Sequence, residues 1–345
     1  VIKNILNVSL LTAILLLSGC GEDSEGVSQL ETQQMLDEGD FAGVIAKLEN
    51  GADSNSNNLA LGAAYMGKAG LALPSLIEII DKSGDSSDNA FGTFIQDVDT
   101  KKSATALNDL EKASGYYKKV IGDVCDETHS TTLNSESKDI CLFLGLSQTL
   151  KAATTITYIA DDIASFGEEG ATEDPKLKAS TCAMQYAAGG SVDSKCSVVS
   201  QGNIAFANGR TYEEIAMTTS DETFNYLVIN QTTAVTNGFC PANDFSLRVV
   251  PEKNVPYTAP EGFHVCPLAE TNATKELTTA EVLVQALNEG TDSIGVTSNK
   301  DIQDSVDEFK CEVLGGNYSN NQCTGADLAD KVTDDQVIQY INDKN

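Results

Sequence analysis

The chain has 345 residues, of which 51 are acidic and 22 are lysine or arginine, for a formal charge of −29. So acidic a surface repels nucleic acid and anionic lipid headgroups, which argues against both as ligands; it suits saline surroundings, cation association or a basic partner. With 41% apolar residues there is material for a sizeable core in one or two domains, while 6% aromatics and no tryptophan leave little for a carbohydrate-stacking platform.

At the front, Lys3 precedes an apolar run over residues 5–17. That is the length of a secretory h-region and falls short of the roughly 20 residues that span a bilayer. The run ends in Leu17-Ser18-Gly19-Cys20, and the flexible acidic stretch Gly21-Glu22-Asp23-Ser24-Glu25-Gly26 follows. The tetrapeptide resembles a lipobox, the cleavage site of bacterial lipoproteins. That resemblance implies a signal peptide over 1–19, lipid on Cys20 and a tether over 20–27. Several acyl chains, each contributing about 0.8 kcal/mol per buried methylene, make such attachment effectively permanent. Gly21 is not the aspartate that retains many such proteins at the inner membrane, so the resemblance points to the outer membrane.

From residue 28 the dominant period is helical. Ser28-x-x-Glu31 is a capping box opening a first helix that Gly39 closes. Phe41, Val44, Ile45 and Leu48 form the stripe of a second helix, and residues 59–69 and 71–80 give a third and fourth. Gly39-Asp40-Phe41 with Val44-Ile45, then Leu61-Gly62-x-x-Tyr65, resemble the turn and the next opening of a tetratricopeptide repeat. Residues 59–62 with Lys68-Ala69 recur 83 positions later as 142–145 with Lys151-Ala152, which reads as a duplicated unit or as two similar core helices. The expected fold is therefore all-α, with helical hairpins in a tetratricopeptide-like solenoid over 28–200 and a loop-rich, disulfide-stapled C-terminal region over 201–345, the boundary being soft.

Residues 103–124 are amphipathic, and 136–166 form the most apolar helical segment after the leader. Gln148, Lys151 and several threonines in that segment favour a buried central helix over a membrane span. Residues 203–216 and 221–236 permit short helices. Residues 239–267 hold five of the seven prolines and read as extended loop; helices are expected again over 278–289, 301–314 and 333–342.

Besides Cys20, eight cysteines fall into close couples: Cys125/Cys141, Cys182/Cys196, Cys240/Cys266 and Cys311/Cys323. An even set in an exported chain reads as a disulfide framework; spacing leaves the connectivity open, and neighbour pairing is the expectation. No Cys-x-x-Cys occurs and there are two histidines, so no zinc site is expected.

Catalytic signatures are missing: no Gly-x-Ser-x-Gly, no His-Glu-x-x-His, no phosphate-cradling glycine loop and no dinucleotide fingerprint. Gly84-Asp85-Ser86 and Cys125-Asp126-Glu127-x-His129 read as polar loop and as a half-cystine beside polar residues, and His264 also reads as loop. Asp81, Asp85, Asp88, Asp97 and Asp99 gather oxygen ligands suited to Ca²⁺ but lack the EF-hand glycine and spaced glutamate. The expected function is thus non-enzymatic, with no cofactor: a lipid-anchored helical scaffold binding another envelope protein. The alternative is a helical lipoprotein that binds a small solute for an uptake system.

Overall fold

The computed structural model describes residues 24–76, 78–79, 90–168, 170–205, 211–220, 222–229, 239–241, 249–250, 255–256, 279–297, 300–319 and 322–345. The proposed signal peptide and Cys20 lie outside them, as do Cys266, His264, Gly84-Asp85-Ser86 and the carboxylates Asp81, Asp85 and Asp88.

The N-terminal helices start earlier than the sequence signals suggest: the first already runs through Ser28, so the Ser28-x-x-Glu31 box does not open it, and the third begins at Asn55 instead of residue 59. Helix α1 (Ser24–Asp37) stops before Gly39, which sits at φ +77°, and Asp40 then caps α2 (Phe41–Leu48) by accepting from the Gly43 N–H at 3.0 Å. Ser54 caps α3 (Asn55–Lys68) in the same way through the Asn57 N–H. After α3 the chain turns at Gly70, φ +83°, where a Cβ would lie 2.1 Å from the Lys101 carbonyl oxygen, so only glycine fits. Two further helices, α4 (Ala90–Lys101) and α5 (Ala106–Ile121), lead to the 25-residue α6 (Ser135–Ile159).

Helix α6 is the centre of the protein. Its apolar and small residues run all round, and Leu144, Leu150, Ala153, Thr154 and Ile156 are all buried. It is long and apolar enough to cross a membrane, yet 89% of its most apolar stretch is covered by the rest of the protein. It packs against α4, α5 and, from far along the chain, α8 (Thr279–Gly295). Ion pairs tie α5 to the same body: Asp109 accepts from Lys68 of α3 at 2.7 Å, Glu111 from Lys151 of α6 at 2.5 Å, and Glu289 of α8 from Lys118 at 3.1 Å. Helix α7 (Pro175–Ala187) starts at Asp174, whose carboxylate accepts from the Lys176 and Leu177 N–H groups at one oxygen and from those of Asp161 and Asp162 at the other. Residues 73–76 and 78–79 are also helical, and helices α9 (Lys300–Val313) and α10 (Asp334–Asp343) follow near the C-terminal end of the described residues.

Two sequence expectations are corrected here. The protein is not all-α: β1 (Ser197–Ala205), β2 (Thr211–Thr218), β3 (Thr223–Ile229) and β4 (Phe239–Pro241) form an antiparallel sheet in the order β1-β2-β3-β4. Two small ribbons accompany it, β5 (Val249–Val250) with β6 (Val255–Pro256) and β7 (Asn317–Ser319) with β8 (Gln322–Thr324). Residues 203–216 and 221–236, read above as short helices, contribute to strands β1 to β3. Their physical signal is period two: Ile215 and Met217 are fully buried on one face, and Tyr226 on the neighbouring strand places its hydroxyl 3.1 Å from that of Ser180 on α7.

Nor is there a tetratricopeptide solenoid. Repeats in a solenoid contact only their neighbours in sequence, whereas α6 packs most extensively on α8, which follows it by more than 100 residues. The 83-residue recurrence does have a physical meaning. Gly62 and Gly145 both lie at close helix crossings, and Lys68 and Lys151 both pair with acids of α5. Beyond those lysines the likeness ends, because α3 stops at Lys68 and α6 runs on to Ile159.

Candidate functional site

An open cavity of about 510 Å³ lies between α1, α3, the 72–74 segment and the first turns of α6. Its existence follows from side-chain size. Helix α3 presents Ala60 and Ala63 to it, so no large residue fills the space between α1 and α6. The floor is aromatic: Tyr117 of α5 and Phe143 of α6 stack with ring centroids 5.9 Å apart. Gly62 lets Tyr117 approach, since a Cβ there would meet the ring at 2.7 Å, and the Tyr117 hydroxyl donates to the Met66 sulfur at 3.5 Å. Phe41, seated against Gly67, and Leu73 with Pro74 close the sides.

The rim has the opposite character. Asp37 and Glu38 at the end of α1 line the same cavity as Glu136 and Asp139 at the start of α6, and among the described residues no lysine or arginine lines it. Asp37 accepts from Gln33 at 2.9 Å and Glu38 from Gln34 at 2.8 Å, which fixes both carboxylates without neutralising them. Burial pushes the Asp139 carboxyl above its ordinary pKa, and the neighbouring charge of Glu136 pushes it further. A carboxylate raised in this way is relieved by an incoming cation. The site is therefore an apolar slot with an acidic mouth, of the size that holds a drug-sized group or a few side chains.

Compared with protein-family models, curated proteins and solved structures, the chain matches none. Function therefore has to be argued from the site itself.

The residues singled out in the sequence are placed as follows. Cys125 is bonded to Cys141, Cys182 to Cys196 and Cys311 to Cys323, each to its neighbour in sequence. Two of these three bridges lie before residue 200, so the stapling is not confined to the C-terminal region. Cys240 is in β4, and its partner in sequence, Cys266, is outside the described residues. In the Cys125-Asp126-Glu127-x-His129 stretch, Asp126 caps a short 3₁₀ turn, accepting from the Thr128 hydroxyl at 2.5 Å and lying 2.8 Å from His129 Nδ1. Those hydrogen bonds pull its carboxyl down to about 2. Asp97 and Asp99 belong to helix α4 and not to a loop, and Asp99 pairs with Lys102. Among the described residues no group of three or more metal-binding side chains comes together.

The slot itself was not anticipated. Its signal was present as Ala60 and Ala63 on a helix flanked by Leu59 and Leu61, but small residues on an apolar face equally mark close packing, as Gly62 does.

Proposed function

We propose that this chain is a lipid-anchored, non-enzymatic binding protein of the bacterial cell envelope. Its slot takes a segment of another envelope protein whose apolar side chains are flanked by lysine or arginine. The observation that carries this reading is the pairing of an aromatic, apolar cavity with a rim of Asp37, Glu38, Glu136 and Asp139 and, among the described residues, no base. Apolar side chains entering the slot supply the affinity, and basic flanks supply orientation and rate of encounter, an effect that the charge of −29 extends over the whole surface. The lipobox-like Leu17-Ser18-Gly19-Cys20 supports an anchor on Cys20, and three disulfides suit an oxidising compartment outside the cytoplasm.

The test uses short amphipathic peptides with one apolar core, flanked by lysine in one series and by glutamate in the other, titrated against the full protein by fluorescence anisotropy. Saturable binding of the lysine series is expected, weakening with salt, abolished by Ala63→Trp and lowered at least tenfold by Glu136→Lys/Asp139→Lys. A photo-cross-linker at position 73, on the side of the slot, should give one adduct in intact membranes, absent with Ala63→Trp in the same chain. Equal binding of the two peptide series, or binding untouched by the variants, would remove the proposal.

A further inference from the structure

Among the described residues three large apolar side chains are left more than half exposed: Val27 at 58%, Leu30 at 60% and Val199 at 59%. Val199 stands alone on β1, and one exposed apolar residue needs no explanation. Val27 and Leu30 differ, because they lie one turn apart on the same side of α1, and neither joins the core. The exposed side of that helix runs through Val27, Leu30, Glu31, Gln34, Asp37 and Glu38, while Thr32 is buried and Met35 and Leu36 pack on the core. It is therefore apolar at its N-terminal end and acidic at the end that lines the slot.

The place of this pair in the chain says what covers it. Cys20, the proposed lipid site, precedes Val27 by seven residues, and seven residues reach at most about 25 Å when fully extended. An anchor on Cys20 keeps the pair beside the bilayer, at an effective concentration that lets even a weak contact persist. Charge selects the surface. Glu31, next to Leu30, is answered by Lys47, whose ammonium lies 3.2 Å from its carboxylate and donates to the Ser28 carbonyl at 3.1 Å. Glu22, Asp23 and Glu25, just ahead in the sequence, repel anionic headgroups and equally repel the same acids on a second copy of the chain. A zwitterionic lipid surface carries no such penalty, and apolar side chains of a helix enter its headgroup boundary.

We propose that the N-terminal end of α1 lies on the bilayer that holds Cys20, with Val27 and Leu30 among zwitterionic headgroups. This contact depends on the lipid anchor proposed above. It orients the body: α1 rises about 15 Å from Val27 to Asp37, so the acidic end of the slot opens close to the membrane. The experiment places an environment-sensitive fluorescent amino acid at position 27, 30 or 199 of the full chain, purified with its lipid and reconstituted into phosphatidylcholine/phosphatidylethanolamine vesicles. Emission at 27 and 30 should shift to the blue, and lipids spin-labelled high on the acyl chain should quench it at least twofold, with position 199 unchanged. Replacing half of the lipid by phosphatidylglycerol should weaken that quenching, and the Cys20→Ala chain should read as water-exposed at all three positions. Protein that floats with the vesicles while 27 and 30 stay unquenched would overturn the contact and leave the anchor standing. A blue shift that the lipid labels do not quench would mean that another protein chain covers the pair, and would overturn it as well. A wild-type chain that carries no lipid and does not float would remove the anchor, and the contact with it.

Discussion

Gly145 of α6 and Gly290 of α8 meet backbone to backbone where the two helices cross. A Cβ on Gly145 would stand 3.0 Å from the Gly290 carbonyl oxygen and 2.6 Å from Ile294 Cγ1, and one on Gly290 would stand 2.9 Å from the Thr149 hydroxyl. That hydroxyl donates to the Gly145 carbonyl at 3.0 Å, so the crossing is closed from both sides. In a solvent-facing helix, Gly→Ala gains up to about 1 kcal/mol from propensity. Here overpacking costs about 1–3 kcal/mol, and one of the obstacles is backbone that cannot rotate away. Gly145→Ala is therefore expected to lose stability on balance, by about 1–2 kcal/mol in urea unfolding. A gain would show that α6 and α8 part freely.

The same crossing shows where the sequence was legible and where it stopped. Helix boundaries governed by local signals were readable: the Gly39 stop, the α2 stripe of Val44 and Leu48, and the helix expected over 333–342, which Thr333 caps as α10. The strands were missed because residues 211–229 mix polar and apolar positions loosely enough to fit two periods, and burial against α7 decides between them. Helix α7 was missed although Asp174-Pro175 is an N-cap followed by a first-turn proline. The slot is assembled from segments far apart in the chain, and no spacing within one segment encodes such a meeting.

The disulfides offer a cleaner energetic test than any single contact. Cys125 and Cys141 are 16 residues apart and both nearly buried, and they tie the 126–129 turn to the second turn of α6. A closed loop of about 15 residues contributes about 3 kcal/mol by restricting the unfolded chain. Cys125→Ala/Cys141→Ala should lower unfolding stability by about 2–3 kcal/mol. Wild-type protein under reducing conditions should fall further, since all the bridges open at once. Denaturation curves that coincide with and without reductant would mean that the bridges do not form in the folded protein.

Acid should act through Glu49. Its carboxylate accepts from the Tyr65 hydroxyl at 2.5 Å and from Lys112 at 3.1 Å, while Lys112 also reaches the Tyr65 hydroxyl at 3.0 Å. The Tyr65 hydrogen bond holds the Glu49 carboxyl below its usual value, against burial and with help from Lys112. The Tyr65 hydroxyl is pushed up to about 12 by burial and by the same carboxylate. A depressed carboxyl pKa means that the native state binds its proton less readily than the unfolded chain. Its stabilisation is therefore present above about 4.5 and lost as pH falls through the lower native value. Melting temperatures of wild type and Glu49→Gln should differ at pH 6 and converge towards pH 3. A gap that persists unchanged at pH 3 would show that the carboxylate charge is not what stabilises the cluster.

Lys151 and Glu111 join α6 to α5 at 2.5 Å, with side-chain exposures of 7% and 18%. Two charges so far from water cost several kcal/mol to desolvate, and their attraction roughly returns that cost. Removing Lys151 takes its ammonium away from a carboxylate that stays mostly out of water. Lys151→Met should therefore destabilise by about 3–5 kcal/mol, whereas Lys151→Met/Glu111→Met should recover to within about 1 kcal/mol of wild type, or exceed it. The double-mutant cycle separates this account from simple loss of packing, because two packing losses would add and a rescued charge cannot. If the double variant is as unstable as the sum of the singles, the pair is held by contacts of the side-chain stems and not by charge.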